Sequence, residues 1–342
     1  MTSFKKHALR AFALSVSSIF GASILCFVIT RVVPGDPARQ ALGQFASPEQ
    51  ISQFRADNGL DQSLVSQYCT FMVHFVRGDW GFSYSSGAPV RDLITTALPA
   101  TIELALSAFA FAVLAGLALA LLSTYERRRW VDRIVNGIAS FGLGAPPFWV
   151  ALLVLLVFSE RIPILPGVEG QVGPRFDIPR RSGFMTIDTL LAADPAAFLS
   201  ALAHLVLPTF ALGIAMLGYL LRVMRVSLIE VSQAAYILSA QAKGLSRWTA
   251  FTRHALHNSL LPVLTASGMV LGQLLAGSVL VEAAFQWPGV GNLVVRSISQ
   301  QDFHLVDVYV LISATAFVLI NLVVDVLHAW IDPRILTSEG AR

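Results

Sequence analysis

The side chains best able to do chemistry in this chain are few and far apart. Three acids in or beside apolar stretches are singled out: Glu103, Glu282 and Asp325. A carboxylate at membrane depth is costly, so it marks a pathway, a relay or a paired contact. Glu103 lies where an apolar stretch begins. It either lines a pathway or serves the positive end of a helix dipole, and the second reading is preferred. Glu282 closes another stretch and is placed to bind a partner or to brace the Trp287-Pro288-Gly289 turn. Asp325 falls near the end of the last stretch, where interfacial exposure or pairing with a base competes with a pathway role. His204 is a lone histidine with no second His or Cys within helical reach, so it reads as hydrogen-bonded structure rather than a nickel ligand.

Enzymatic constellations are not formed. A phosphate-binding loop ends in a Gly-Lys pair, because the Lys reaches phosphates that glycine amides cradle. The three lysines, Lys5, Lys6 and Lys243, follow Phe4, Lys5 and Ala242. Any ATP energy this chain uses must therefore come from another subunit. The histidines form no H-E-x-x-H run, and Gly81-Phe82-Ser83 lacks the rest of a G-x-S-x-G elbow. The reading predicts no catalytic residue, no metal site and no cofactor.

The elements that must position these residues are apolar. Of 342 residues, 55% are apolar and 13% charged, about half the charged share of a soluble domain, roughly 25%. Mean hydropathy is +0.66. Disorder needs the opposite composition, and two cysteines in so long a chain make no disulfide scaffold. A spanning helix needs about 20 apolar residues. Six stretches qualify: 11–30, 104–125, 134–159, 195–221, 260–281 and 308–329. The first is longer than a signal-peptide core of about 7–15 residues and closes on no cleavage pattern, so it reads as an uncleaved helix.

Basic residues set the orientation. Residues 1–10, 123–133, 222–260 and 330–342 together hold fourteen basic and five acidic side chains, and the rest hold ten and sixteen. The first set is placed in the cytoplasm with both termini. The net charge of +3 and the pI near 9.1 thus reflect membrane orientation rather than affinity for nucleic acid. Arg127-Arg128-Arg129 reads as a topology determinant that also meets anionic lipid.

Two further segments carry local order. In the external segment, Ser47-Pro48-Glu49 opens a helix that Asn58-Gly59 stops. A second helix is predicted from Asp61 to Gly78. Its face of Leu64, Tyr68, Phe71, Met72 and Phe75 lies either on the membrane or against the rest of the protein. Cys26 within a span and Cys69 on this helix are not expected to pair. The run Gly142-Leu143-Gly144-Ala145-Pro146-Pro147 either kinks its span around a cavity or lets helices pack closely.

The longest cytoplasmic loop, 222–260, is the most informative part of the chain. Its Ala, Leu and Gln residues favour helix, Gly244 suits a left-handed stop, and Ser246 suits the cap of a second helix. Ala235, Ser239 and Ala242, about one turn apart, let another surface approach closely. A short helix of this kind fits a groove on a partner.

Tyr236-Ile237-Leu238-Ser239-Ala240-Gln241-Ala242-Lys243-Gly244-Leu245 resembles the "EAA…G" coupling loop of ATP-binding-cassette importer permeases, in the dipeptide/oligopeptide/nickel branch. The resemblance covers nearly the whole chain. It includes Pro34-Gly35-Asp36-Pro37, Arg77-Gly78-Asp79-Trp80-Gly81, Leu98-Pro99-Ala100-Thr101-Ile102-Glu103-Leu104, Pro147-Phe148-Trp149, Trp287-Pro288-Gly289-Val290-Gly291 and Asp332-Pro333-Arg334. Two positions usually basic in that branch are Leu238 and Gln241 here, which bears on the ATPase surface this loop accepts.

The resemblance implies an all-α integral membrane protein of six transmembrane helices with the type I importer-permease fold and an extended external segment between the first two. It divides the chain into 1–98, a core 99–331 holding the coupling loop, and a tail 332–342. It implies a bacterial inner-membrane permease that pairs with a second, usually different, permease chain, two cytoplasmic ATP-binding subunits and an external substrate-binding protein. Tyr236, Ser239, Ala240, Ala242, Lys243, Gly244 and Leu245 would contact the ATPase. Cargo would be di- or oligopeptides, with nickel chelates or glutathione as alternatives. A passive channel or ion-coupled carrier is the competing class, and the scarcity of charge inside the spans speaks against it.

Overall fold

Long apolar runs with few breakers fold here into helix after helix. The computed structural model describes residues 2–32, 38, 42–43, 45–83, 85–126 and 128–331. Within these ranges, the side chains of 2–15, 32, 126, 261, 273, 275–277 and 324–331 are outside the description. Pro34-Gly35-Asp36-Pro37, Arg127 and the 332–342 tail fall outside the described residues, as does the Asp325 side chain.

Helix α1 (Thr2–Val32) is followed by two short helices, α2 (Pro48–Asp57) and α3 (Leu64–Val76), and by a two-residue hairpin of β1 (Phe82–Ser83) and β2 (Ala88–Pro89). Ser47 caps α2 through a reciprocal box with Gln50. Ser63, not Asp61, caps α3, because its hydroxyl accepts the Ser66 amide. Tyr68, Phe71 and Phe75 face inward: Tyr68 and Phe71 pack on Phe27 of α1, and Phe75 stacks on Trp80. Leu64, expected on that face, stays exposed, as do Val65 and Val76. The α3 aromatic face therefore packs on the protein. Cys26 and Cys69 are free thiols.

The central pair is α4 (Val90–Glu126) and α8 (Pro195–Ser232), with α5 (Arg129–Gly144), α6 (Pro147–Leu155), a wide turn at Leu156–Arg161 and α7 (Met185–Leu191) between them in sequence. Leu104, Leu212, Leu220, Leu221 and Met224 lie in one buried core. Where α5 crosses α8, a Cβ on Gly142 would stand 2.3 Å from the Ile214 carbonyl, and one on Gly218 2.7 Å from that of Ala139. Backbone meets backbone at this crossing, so these glycines serve close packing.

Three sequence expectations are revised. The helix predicted from residue 104 starts at Val90 and runs through Pro99, so Glu103 lies more than three turns inside it. The stretch 134–159 is broken, with its halves bent by 109°. Pro146 and Pro147 lack amide donors and push the preceding residues out of helical conformation, and Ala145 is extended. The stretch 260–281 divides at Ser278. After α9 (Ala235–Ala242), α10 (Arg247–Ala250) and a wide turn at Phe251–Ala255 comes α11 (Leu256–Gly277), then α12 (Val279–Ala284), α13 (Val290–Ser299) and α14 (Phe303–Ile331).

By length and composition, Val90–Tyr125, Pro195–Ser232 and Phe303–Val323 can each cross a membrane, and the bent α5–α6 pair would make a fourth span. Shorter apolar helices run over Val16–Arg31 and Pro262–Gly272.

Candidate functional site

About three turns in from its start, α4 carries a hub of hydrogen bonds that explains two sequence motifs together. The Ala100 carbonyl accepts the indole N–H of the buried Trp287 at 2.9 Å. The Thr101 hydroxyl accepts the first amide of α13, from Val290, at 2.8 Å. Glu103 is buried, and one carboxylate oxygen accepts the Thr186 amide (2.8 Å) and hydroxyl (2.5 Å). Its other oxygen accepts Gln171 (2.9 Å) and the Met185 amide (3.2 Å). Glu103 thus serves the positive end of a helix, but of α7 rather than of its own.

Glu282 makes the same kind of contact with α13. It is fully buried, accepts the Ser278 hydroxyl at 2.6 Å and takes the Asn292 amide at 3.2 Å. The glycines of Trp287-Pro288-Gly289-Val290-Gly291 leave it room. A Cβ on Gly289 would stand 2.3 Å from the Glu282 carboxylate, and one on Gly291 2.6 Å from the Val279 backbone. Glu103 and Glu282 are therefore brought to one end of the bundle, where each holds a short helix in place.

Other buried polar groups were not singled out from sequence. Asp307 on α14 accepts the Thr30 hydroxyl at 2.8 Å, lies 3.5 Å from the Cys26 sulfur and stands 3.9 Å from Arg31, which ties α1 to α14. Its signal was an acid just outside the last apolar stretch. Asp302 accepts the hydroxyls of Ser83 and Ser85 at 2.6 and 2.8 Å and so pins the hairpin to α14. His204 is buried and donates through Nδ1 to the Ser200 carbonyl at 2.7 Å, while Nε2 stands 3.5 Å from Glu169 without a hydrogen bond. Among the described residues, no three His, Cys, Asp or Glu side chains gather as a metal site.

The opposite end of α4 meets the helical turn formed by α9 and α10. Gly244 adopts φ +94°, a conformation glycine takes at little cost. Its amide donates to the Gln241 carbonyl at 2.9 Å, and the Leu245 amide donates to that of Ala240 at 3.2 Å, the paired bonds of a Schellman stop. The Ser246 hydroxyl then accepts the Thr249 amide at 3.1 Å and caps α10. Ile237 alone is buried on α9, while Tyr236, Ser239, Ala242, Lys243 and Gly244 are exposed and Ala240 and Leu245 half-buried.

Side chains of α10 tie this turn to α4, and a separate polar contact ties α8 to α5. Arg247 donates to the Tyr125 carbonyl at 2.8 Å and lies over its ring, and Trp248 meets the same ring edge-on at 5.0 Å. Arg225, at the end of α8, pairs with Asp132 at 2.8 Å and with Asn136 on α5. An exposed turn wired in this way can receive a push from another protein and pass it into the bundle.

An apolar helical bundle with several span-capable helices has the composition of a polytopic membrane protein. Residues 112–337 match the family described as binding-protein-dependent transport system inner membrane component, and residues 6–105 match the N-terminal region of such membrane components. The chain belongs to this family, as a multi-pass inner-membrane permease component of a transport system.

Three relatives align along nearly their full lengths. A probable D,D-dipeptide transport system permease of Escherichia coli K12 is 40% identical over 323 residues, covering 94% of this chain and 95% of that protein. A dipeptide transport system permease of Alkalihalophilus pseudofirmus is 35% identical over 329 residues, or 96% and 98%. A glutathione transport system permease of Escherichia coli K12 is 34% identical over 320 residues, or 94% and 95%.

Proposed function

We propose that this chain is one of two membrane halves of an ATP-driven importer of small peptides. In this reading α1, α4, the bent α5–α6 pair, α8, α11 and α14 supply six spans of a type I permease, with both termini in the cytoplasm. Residues 31–98 form an external segment and 332–342 a cytoplasmic tail. A second, different permease chain completes the pathway, an external binding protein delivers cargo, and two cytoplasmic ATPases supply the energy. Glu103 and Glu282 act as braces that hold α7 and α13 at the outer mouth, and Asp325 belongs to the inner end of the last span. The dipeptide relatives support peptide cargo; the glutathione relative supports glutathione, carried by the same machinery, as the second reading.

The observation that carries the mechanism is the exposed α9–Gly244–α10 turn with its ties to Tyr125 of α4 through Arg247 and Trp248. Tyr236, Ser239, Ala240, Ala242, Lys243, Gly244 and Leu245 form the face the ATPase engages. Closure of the ATPases on ATP moves this turn, and the turn moves α4, α5 and α8 between outward- and inward-open arrangements.

The test is Gly244→Val in the complete transporter reconstituted in vesicles. A branched residue at this φ is strained by roughly 1–3 kcal/mol, so the turn should reorganise. Peptide uptake should fall at least tenfold, about 1.4 kcal/mol or more of coupling, while membrane insertion and thermal melting stay near wild type. Uptake at the wild-type rate would remove the coupling role of this turn.

A further inference from the structure

The surface α9 offers to its partner has a distinct chemistry. Over Ala235–Ala242 the helix carries no charged side chain. Leu238 is 58% exposed and Tyr236 47%, while Trp248 at the head of α10 is 54% exposed. Single exposed apolar residues are ordinary, but Leu238 stands on the helix side away from the anchoring Ile237, one turn before Gln241, while Tyr236 and Trp248 are bonded or packed to Asn258 and Tyr125. The nearby Arg247 is committed to the Tyr125 carbonyl and ring. Lys243 sits at the helix stop, beyond the uncharged stretch.

We propose that the ATP-binding subunit serving this chain receives α9 in an uncharged, apolar pocket centred on Leu238, with a neutral hydrogen-bonding group opposite Gln241. This rests on the coupling role proposed above for the same turn. A groove with acidic side chains at these places would bury a carboxylate that no cation from α9 could meet, a strongly unfavourable arrangement. The neutral face therefore selects its ATPase partly by penalising acidic grooves. Contact of this kind is driven by burial of apolar area and is little screened by salt.

The test uses the complete transporter in vesicles, with the binding protein saturating and a labelled dipeptide outside. Uptake per ATP hydrolysed is read from about 0.05 to 0.5 M salt, over which the screening length shortens roughly threefold. In a Lys243→Gln background, which takes away the cation at the helix stop, coupling should change by less than about twofold from its own low-salt value, since the remaining contact is uncharged. Leu238→Arg should lower uptake per ATP roughly tenfold or more by burying an unpaired cation, and Leu238→Met should keep it within about twofold. Leu238 is exposed in the isolated chain, and equal melting temperatures of the variants check that the fold is intact. A steep fall of Lys243→Gln coupling with salt, or Leu238→Arg vesicles working as wild type, overturns the proposal. Gly244→Val vesicles that import normally would remove the coupling role beneath it. A defective Gly244→Val beside a fully active Leu238→Arg removes the neutral pocket alone.

Discussion

At Asp188 a single carboxylate organises a stretch of irregular chain. It is buried and accepts the amides of Arg181, Ser182 and Gly183 together with the Ser182 hydroxyl at 2.7 Å. Burial alone would push this carboxyl up, but the Ser182 amide and hydroxyl and the Gly183 and Arg181 amides outweigh it and hold it below its ordinary range. The stabilisation is therefore complete above about pH 4, where the unfolded carboxyl is ionised. It is lost as pH falls through the lower folded value. Hydrogen exchange of residues 181–191 in detergent should stay slow down to about pH 4 and accelerate below it. Asp188→Asn should flatten that acid limb. An unchanged acid limb in the variant would assign it to another group.

At the scale of elements, the division between legible and illegible features follows the range of the interactions. The helix start at Ser47 and the stop at Gly244 are closed by bonds within five residues, so composition and order alone revealed them. Glu103 and Glu282 were recognised as acids beside apolar stretches. The Glu103 partners, at Gln171, Met185 and Thr186, lie 68 to 83 residues away, beyond any local pattern. Pro146-Pro147 announced a break, whereas its angle is set by how α5 and α6 pack on α8. Asp307 escaped notice because its meaning depends on Thr30 and Arg31, which α1 brings from the far end of the chain.

The link between α10 and α4 also belongs to this scale. Arg247→Ala removes one charge-assisted hydrogen bond and a cation–π contact, each worth roughly 0.5–3 kcal/mol. Vesicles with this variant should hydrolyse ATP at near the wild-type rate while uptake per ATP falls several-fold. A parallel fall of hydrolysis and uptake would place Arg247 in ATPase docking instead of transmission.

For the whole molecule, charge and exposure together define sidedness. The exposed thiol of Cys69 belongs to the segment assigned to the outside, and the exposed Ser239 to the turn assigned to the cytoplasm. In a Cys26→Ala background, a membrane-impermeant maleimide added to intact spheroplasts should modify Cys69. In a chain also carrying Cys69→Ala and Ser239→Cys, the same reagent should react only after the membrane is opened. Labelling of the position-239 thiol in intact cells would invert the assigned orientation.

The hub on α4 and the end of that helix at Tyr125 are joined by one helical rod. Its only proline, Pro99, lies just before the hub, so the helix from Thr101 to Tyr125 has no internal proline to absorb strain. That distance is about 36 Å at 1.5 Å per residue. A slide of about 2 Å, ordinary for packed helices, delivered at Tyr125 corresponds to a tilt of only about 3° of such a rod. No loop slack intervenes at the other end, because the Thr101 hydroxyl and the Glu103 carboxylate are bonded directly to the first amides of α13 and α7. In the coupling proposed above this helix is the lever, so that a load delivered at Tyr125 is carried to the hub without slack.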